Sequence, residues 1–229
     1  MTSTLESLQK AQQSKCPLLA ILIDPDKFDS FSAPEFMRKL PKNTTHLFVG
    51  GSTVVPGATQ RVVGALKSCS AMPVVLFPGD YSQIDPEADA LLFMSLLSGE
   101  NPEYLIGQQI KAVSRLQHNH LEIIPTGYIL IDGGHQSAVS RVTQTKAIPQ
   151  QEINLICDIA QAAQFMGKRC IYLEAGSGAS FPVQPEIIKK VTSKVDIPVI
   201  VGGGIRSNEQ IIAAYKAGAT MVVMGTAFE

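Results

Sequence analysis

The stretch V-I-V-G-G-G-I-R-S, Val199 to Ser207, decides how the rest of the chain is read. Ile197, Val199, Ile200 and Val201 make a short β-branched run that predicts a buried strand. Three glycines follow, and Ser207 with Asn208 then supplies the cap of a predicted helix whose apolar face is Ile211, Ile212 and Tyr215. A strand, a turn without side chains and a helix N-terminus aim several backbone N–H groups at one point, which predicts a phosphate seat. Any Cβ in that turn would hold an oxyanion away from the backbone.

The same alternation of continuous apolar runs with helical periodicity extends through the chain. Predicted strands are Leu18–Ile23, His46–Val49, Val74–Phe77, Ala90–Met94, Leu121–Pro125, Cys170–Leu173, the opening stretch and Met221–Met224. Between them lie predicted helices at Pro34–Leu40, Ala58–Lys67, Asn101–Gln117, Glu152–Met166 and Pro185–Val195, preceded by a polar leading helix at residues 4–15 with only Leu5 and Leu8 on its apolar face. Tyr81–Glu87 is too short for a good helix, so the third outer helix is weak or missing. Gly127–Asp132 reads either as a continuation of strand five or as an excursion over the mouth. Residues 133–149 carry no pattern, and a segment that long is usually functional or mobile. Eight strands in βα order predict a single (β/α)8 TIM barrel over residues 1–229, with any closing helix after Glu229 missing or not covered by this sequence. A doubly wound sheet would need one crevice at a switch point, whereas Gly, Ser, Asp or Glu ends nearly every strand here.

Composition limits the partners. With 229 residues, 45% of them hydrophobic, and a formal charge of −1, the chain can bury a large core and has no Lys/Arg run able to track a nucleic-acid backbone. The cysteines at 16, 69, 157 and 170 have no metal-type spacing and read as reduced core residues of a cytoplasmic protein. The N-terminus lacks a basic region followed by an apolar one, and no apolar run approaches a membrane span, so the protein is expected to be soluble. Soluble enzymes can still act on lipids, with at most peripheral membrane contact. The four histidines form no metal spacing and receive no role; His118 and His120 are expected on an exposed helix end.

In a barrel the strand ends converge on one face, which turns them into a roster of site residues: Asp24, Gly51-Ser52, Gly79-Asp80, Ser95, Gly127-Tyr128, Glu174, Gly202–Gly204 and Gly225-Thr226. The glycine turns after strands seven and eight sit side by side, where barrels bind phosphate. Magnesium takes one or two carboxylates plus substrate oxygens, a demand that Asp24 with the Ser52 hydroxyl meets. Asp24 capping a turn with Pro25 is the simpler alternative. Glu174 leaves a buried strand carrying a charge and needs a partner, either a ligand or a lysine from a neighbouring loop.

These strand ends, L-L-A-I-L-I-D-P-D-K, H-L-F-V-G-G-S-T, P-V-V-L-F-P-G, A-D-A-L-L-F-M-S-L-L-S-G, Y-L-E-A-G-S-G, V-G-G-G-I-R and V-V-M-G-T, together resemble the geranylgeranylglyceryl phosphate synthase family. The resemblance implies a magnesium-dependent prenyltransferase, expected to be a homo-oligomer, that joins sn-glycerol 1-phosphate to a polyprenyl diphosphate, with geranylgeranyl as the expected tail. It implies that Asp24 and Ser52 hold Mg2+. It further implies that Tyr172, Leu173, Glu174, Ala175, Gly176, Ser177, Gly178, Gly203, Gly204, Gly225 and Thr226 hold glycerol 1-phosphate. Glu174 is the group expected to orient, and to deprotonate, the attacking hydroxyl.

A tail of on the order of twenty carbons, at roughly 0.8 kcal/mol each, bounds the apolar attraction near 16 kcal/mol before entropy costs. The expected groove for it lies beside the weak third helix, with Tyr104, Ile106, Phe93, Met94 and Tyr128 nearby; ordinary barrel-to-helix packing is the alternative for each. A phosphate-binding barrel isomerase or aldolase is the competing function. No predicted strand end offers the buried lysine that a Schiff-base aldolase needs, and Asp132 lies too far past strand five to pair with Asp24 as acid and base.

Overall fold

Apolar side chains alternate between the two faces of a sheet that closes on itself. The computed structural model describes residues 3–117 and 119–225, so Thr226 and His118 lie outside the described residues. Its strands are β1 (Leu18–Ile23), β2 (Thr44–Val49), β3 (Val74–Leu76), β4 (Ala90–Leu96), β5 (Glu122–Leu130), β6 (Cys170–Glu174), β7 (Val199–Gly202) and β8 (Met221–Met224). They form a closed parallel barrel in the order β1 to β8, with β8 pairing back onto β1. One set of side chains, among them Ala20, Phe48, Val75, Leu92, Ile124, Cys170, Tyr172, Ile200 and Val223, fills the interior. The alternate set, among them Leu19, Ile21, Ile129, Ile171, Leu173, Val199, Val201 and Val222, packs outward on the helices. Both faces being buried is why each strand reads as a continuous apolar run.

The outer ring is α2 (Ala33–Lys39), α3 (Ala58–Cys69), α4 (Gln108–Leu116), α6 (Ile153–Phe165), α7 (Pro185–Thr192) and α8 (Asn208–Lys216), with α1 (Thr4–Ser14) leading the chain and α5 (Ala138–Thr143) inserted after β5. After β3 there is only a single 3₁₀ turn, Tyr81–Gln83, as the short connection predicts. Helix α8 begins with a full capping box: Ser207 accepts from the Gln210 amide while the Gln210 side chain accepts from the Ser207 amide. Helix α1 plugs the barrel floor, with Leu8 in the interior cluster. Its first turn is held by the Glu122 carboxylate, which accepts from the amides of Thr4 (2.7 Å) and Leu5 (3.1 Å), a negative charge at the positive end of the helix.

Several expectations are corrected. Of the two readings of Gly127–Asp132, continuation of strand five holds, through Leu130, whereas the segment without a pattern, 133–149, holds α5 and, at Ile148, one side of a bridge to Ile131. Short helices of six residues leave too few periodic positions to stand out in sequence. The helix after β4 opens with a wide π turn over Glu103–Gly107. Ile212 is half exposed, and the buried face of α8 is instead Ile211 and Ala214. Tyr215 is partly buried, and its hydroxyl reaches the Leu18 carbonyl (2.9 Å). All four cysteines are free thiols, but Cys16 is exposed rather than a core residue. His120 is exposed and lies outside any helix. No helix among the described residues is long and apolar enough to cross a membrane.

Candidate active site

Glu174 is the last residue of β6 and only 5% exposed. The chain turns back on itself immediately after it, so the Gly176 amide donates to Glu174 Oε1 at 2.6 Å. Burial pushes the carboxyl up to about 7; the Gly176 amide and the Tyr172 hydroxyl oppose that rise but do not cancel it. The Tyr172 hydroxyl faces the acid but has no formed hydrogen bond among the described residues. Beneath it the rings of Phe77, Tyr172 and Tyr128 stack: Phe77 to Tyr172 at 4.8 Å and 21°, Tyr172 to Tyr128 at 5.5 Å and 23°. Burial and the Glu174 charge hold both phenols well above their usual pKa, so they remain proton donors.

The glycine turn after β7 lies against this acid. Gly203 and Gly204 have φ of +82° and +71°, a region that β-carbons disfavour. A Cβ on Gly203 would meet Glu174 Oε1 and lie 2.6 Å from the Gly176 amide nitrogen, and one on Gly204 would lie 3.0 Å from the Phe181 backbone. A Cβ on Gly202 would collide with the Tyr172 hydroxyl. Glycine is thus demanded here by loop packing and backbone conformation as well as by room for an anion. Among the described residues the amides of Gly203, Gly204 and Ile205 have no acceptor, which leaves them free to meet one. Arg206 stands beside them on the cavity wall.

Across the mouth, Asp24 directly follows the last residue of β1. Its Oδ1 accepts from the Asp26 amide (3.1 Å), forming the turn expected of D-P-D-K, and its Oδ2 lies 3.5 Å from Lys27 Nζ. The Gly51–Ser52 turn after β2 packs against it: a Cβ on Gly51 would stand 3.4 Å from Asp24 Oδ1. The turn reading of Asp24 therefore holds for Oδ1, while Oδ2 faces the Lys27 ammonium. The donors here, a carboxylate and a hydroxyl with neighbouring loop carbonyls, are hard oxygen ligands of the kind Mg2+ accepts when substrate supplies the rest. No three His, Cys, Asp or Glu side chains gather into a cage among the described residues.

One cavity of about 400 Å³ joins these elements. Asp24, Ser52, Tyr172, Glu174, Ser177, Gly203, Gly204 and Gly225 line it. Leu173 and Ala175 do not; their side chains pack outward into the core between barrel and helices. Gly176 and Gly178 shape the loop through φ of +100° and +75° rather than lining the wall. From Glu174 the cavity runs toward the gap after β3, where Phe77, Ile84, Leu91, Phe93, Met94, Tyr104, Ala112, Tyr128, Val139 and Val142 give it an apolar wall. Ile106, expected in that groove, is instead exposed on the surface. Arg206, Phe77 and the α5 residues escaped the sequence reading; Arg206 alone had a signal, as the cation directly before the Ser207 cap.

The PcrB family model matches residues 12–229. This chain belongs to the PcrB family. The family places it among prenyltransferases, and the resemblance read from the strand ends holds. A relative in Zunongwangia profunda, named geranylgeranylglyceryl phosphate synthase, is 52% identical over 229 residues, covering 100% of this chain and 98% of the relative. One of the same name in Pyrococcus furiosus is 41% identical over 215 residues, covering 91% and 83%. The crystal structure of (S)-3-O-geranylgeranylglyceryl phosphate synthase from Thermoplasma acidophilum in complex with sn-glycerol-1-phosphate superposes with a TM-score of 0.91 at 36% identity, covering 100% of this chain and 92% of that one. The closed barrel of this PcrB chain is thus shared with a solved member of the same fold.

Proposed function

We propose that this PcrB-family protein forms an ether bond between sn-glycerol 1-phosphate and a polyprenyl diphosphate, geranylgeranyl diphosphate being the favoured tail, and releases diphosphate. The observation that carries the reading is the joining, in one cavity, of a buried carboxylate beside a free-amide glycine turn with a long apolar wall. In that arrangement the Gly203–Ile205 amides and Arg206 take the phosphate, and Glu174 accepts a hydrogen bond from the glycerol hydroxyl. The hydroxyl oxygen forms its bond to C1 of the prenyl chain as the C1–O bond to diphosphate breaks, and the hydroxyl proton passes to Glu174. An acid with a pKa near 7 is well matched to that proton transfer at neutral pH.

Asp24 and Ser52 are the residues that would hold Mg2+, which when bound neutralises the charge gathering on the leaving diphosphate. Lys27, whose ammonium lies 3.5 Å from Asp24 Oδ2, brings a positive charge to the same side of the cavity. The apolar wall takes the tail and, as a groove open to the surface, fits a protein that works in the cytoplasm with peripheral access to lipid. The test is to incubate the protein with Mg2+, sn-glycerol 1-phosphate and prenyl diphosphates of several lengths, and to identify products by mass. An ether product with released diphosphate is expected; no product with any tail would overturn the reading and promote an isomerase or aldolase.

A further inference from the structure

The single 3₁₀ turn that replaces a third helix carries a glutamine that is only 2% exposed, Gln83. A buried amide must satisfy both its ends, and Gln83 does so entirely on backbone of two neighbouring strand ends. Its Nε2 donates to the Gly51 carbonyl (2.9 Å), while its Oε1 accepts from the Gly79 amide (3.2 Å) and, more loosely, from the Gly51 amide (3.4 Å). The Gly79 amide also donates to the Gly51 carbonyl (3.1 Å). The two loops approach so closely that a Cβ on Gly79 would lie 2.5 Å from the carbonyl oxygens of Gly51 and Ser52.

We propose that Gln83 is a positioning residue for the prenyl diphosphate: by clamping both polar groups of the Gly51 peptide, it fixes the Gly51–Ser52 turn against Asp24 so that an allylic diphosphate and its cation meet a ready-made set of oxygens. This rests on the prenyltransferase reading above. A full helix after β3 would have left that job to helix–helix packing. Here the turn has no such support, and the same absence opens the groove for the tail. Gln83 thus adds a side-chain clamp on the side of the loop that no helix after β3 covers, while the Asp26 carboxylate holds the loop farther on at the Val55 amide (3.0 Å). A misplacement of about 1 Å in such a site costs on the order of a hundredfold.

The test compares wild type with Gln83→Leu and Gln83→Glu. Wild-type ether formation is measured first; if there is none, the prenyltransferase reading falls and this proposal falls with it. Given wild-type turnover, Gln83→Leu is expected to raise KM for prenyl diphosphate and the Mg2+ concentration for half activity about tenfold or more. Its affinity for glycerol 1-phosphate, by calorimetry, should stay within about twofold, because that seat lies across the barrel. Gln83→Glu supplies a second readout should the leucine variant fold poorly. As a neutral acid it can still donate to the Gly51 carbonyl, and as a carboxylate it repels it. Its KM for prenyl diphosphate relative to wild type is expected to climb as pH rises from about 6 to about 9. A pH-independent ratio near one for Gln83→Glu, or equal losses for both substrates in Gln83→Leu, overturns the proposal.

Discussion

The Gly176 amide donates to Glu174 Oε1 at 2.6 Å, and this short contact is what keeps a fully buried carboxylate at the end of β6 oriented into the mouth of the barrel. The bond stabilises the ionised acid, yet burial dominates and leaves the pKa near 7. Because the folded value lies above that of the unfolded chain, the native state holds the extra proton between about 4.5 and 7, and stability is lost as pH rises through that window.

Glu174→Gln keeps an acceptor for the Gly176 amide and removes the charge. At pH 8 its thermal midpoint is expected to exceed wild type by several degrees, reflecting up to about 3 kcal/mol of relieved desolvation. At pH 4.5 the difference should vanish. Thermal unfolding followed by circular dichroism at both pH values checks this.

His46 reverses the sign at the opposite end of the barrel. Its ring is 3% exposed, and burial pulls its pKa down to about 4. The Thr45 hydroxyl donates to the Leu19 carbonyl, so it can only accept from His46 Nδ1 (2.8 Å); the proton sits on Nδ1, and Nε2 is buried without a partner among the described residues. With the folded pKa depressed below the unfolded 6.5, its contribution is fully present above about 6.5 and is lost as pH falls toward 4. Between about 4.5 and 6.5 the two groups oppose each other. His46→Leu should therefore flatten the acid limb of stability, giving a smaller loss of thermal midpoint than wild type between pH 6.5 and pH 4.5; an unchanged acid limb would remove His46 from that role.

Gly203→Ala places a β-carbon on Glu174 Oε1 at a φ of +82°. The expected cost is about 1–3 kcal/mol in stability, with weaker glycerol 1-phosphate binding, both measurable by denaturation and calorimetry. Native stability in this variant would mean that the turn relaxes freely.

Asp24→Asn keeps the turn-forming acceptor for the Asp26 amide but removes the charge that faces a cation. Turnover should drop sharply and the Mg2+ requirement rise at least tenfold, with glycerol 1-phosphate affinity intact. Unchanged Mg2+ dependence would refute the assignment of Asp24.

Much of this was legible in the chain because barrel strands bury both faces: the apolar runs, the punctuation at their ends and the Ser207 cap locate the strands, the site face and helix α8. The gap after β3 was visible as a connection too short for a helix. What stayed hidden depends on three-dimensional approach. Neither the alternation of Leu173 and Ala175 away from the cavity nor the clamp made by Gln83 has a local signature, since each follows from which way a strand faces and from how near two loops pass. The six-residue helix α5 is too short to show a period. The glycines of β7 were visible, but their second cause, the collision of a Cβ with Tyr172 and Glu174, required the neighbouring strand.

The most direct measurement is the pH dependence of kcat/KM for sn-glycerol 1-phosphate in ether formation, which reports the groups of the free protein, in wild type and Glu174→Gln. If Glu174 takes the hydroxyl proton, wild type loses activity below an apparent pKa near 7, and the glutamine variant is slower by about a hundredfold or more with that acid limb gone. A glutamine variant that turns over at the wild-type rate with the same acid limb would contradict it.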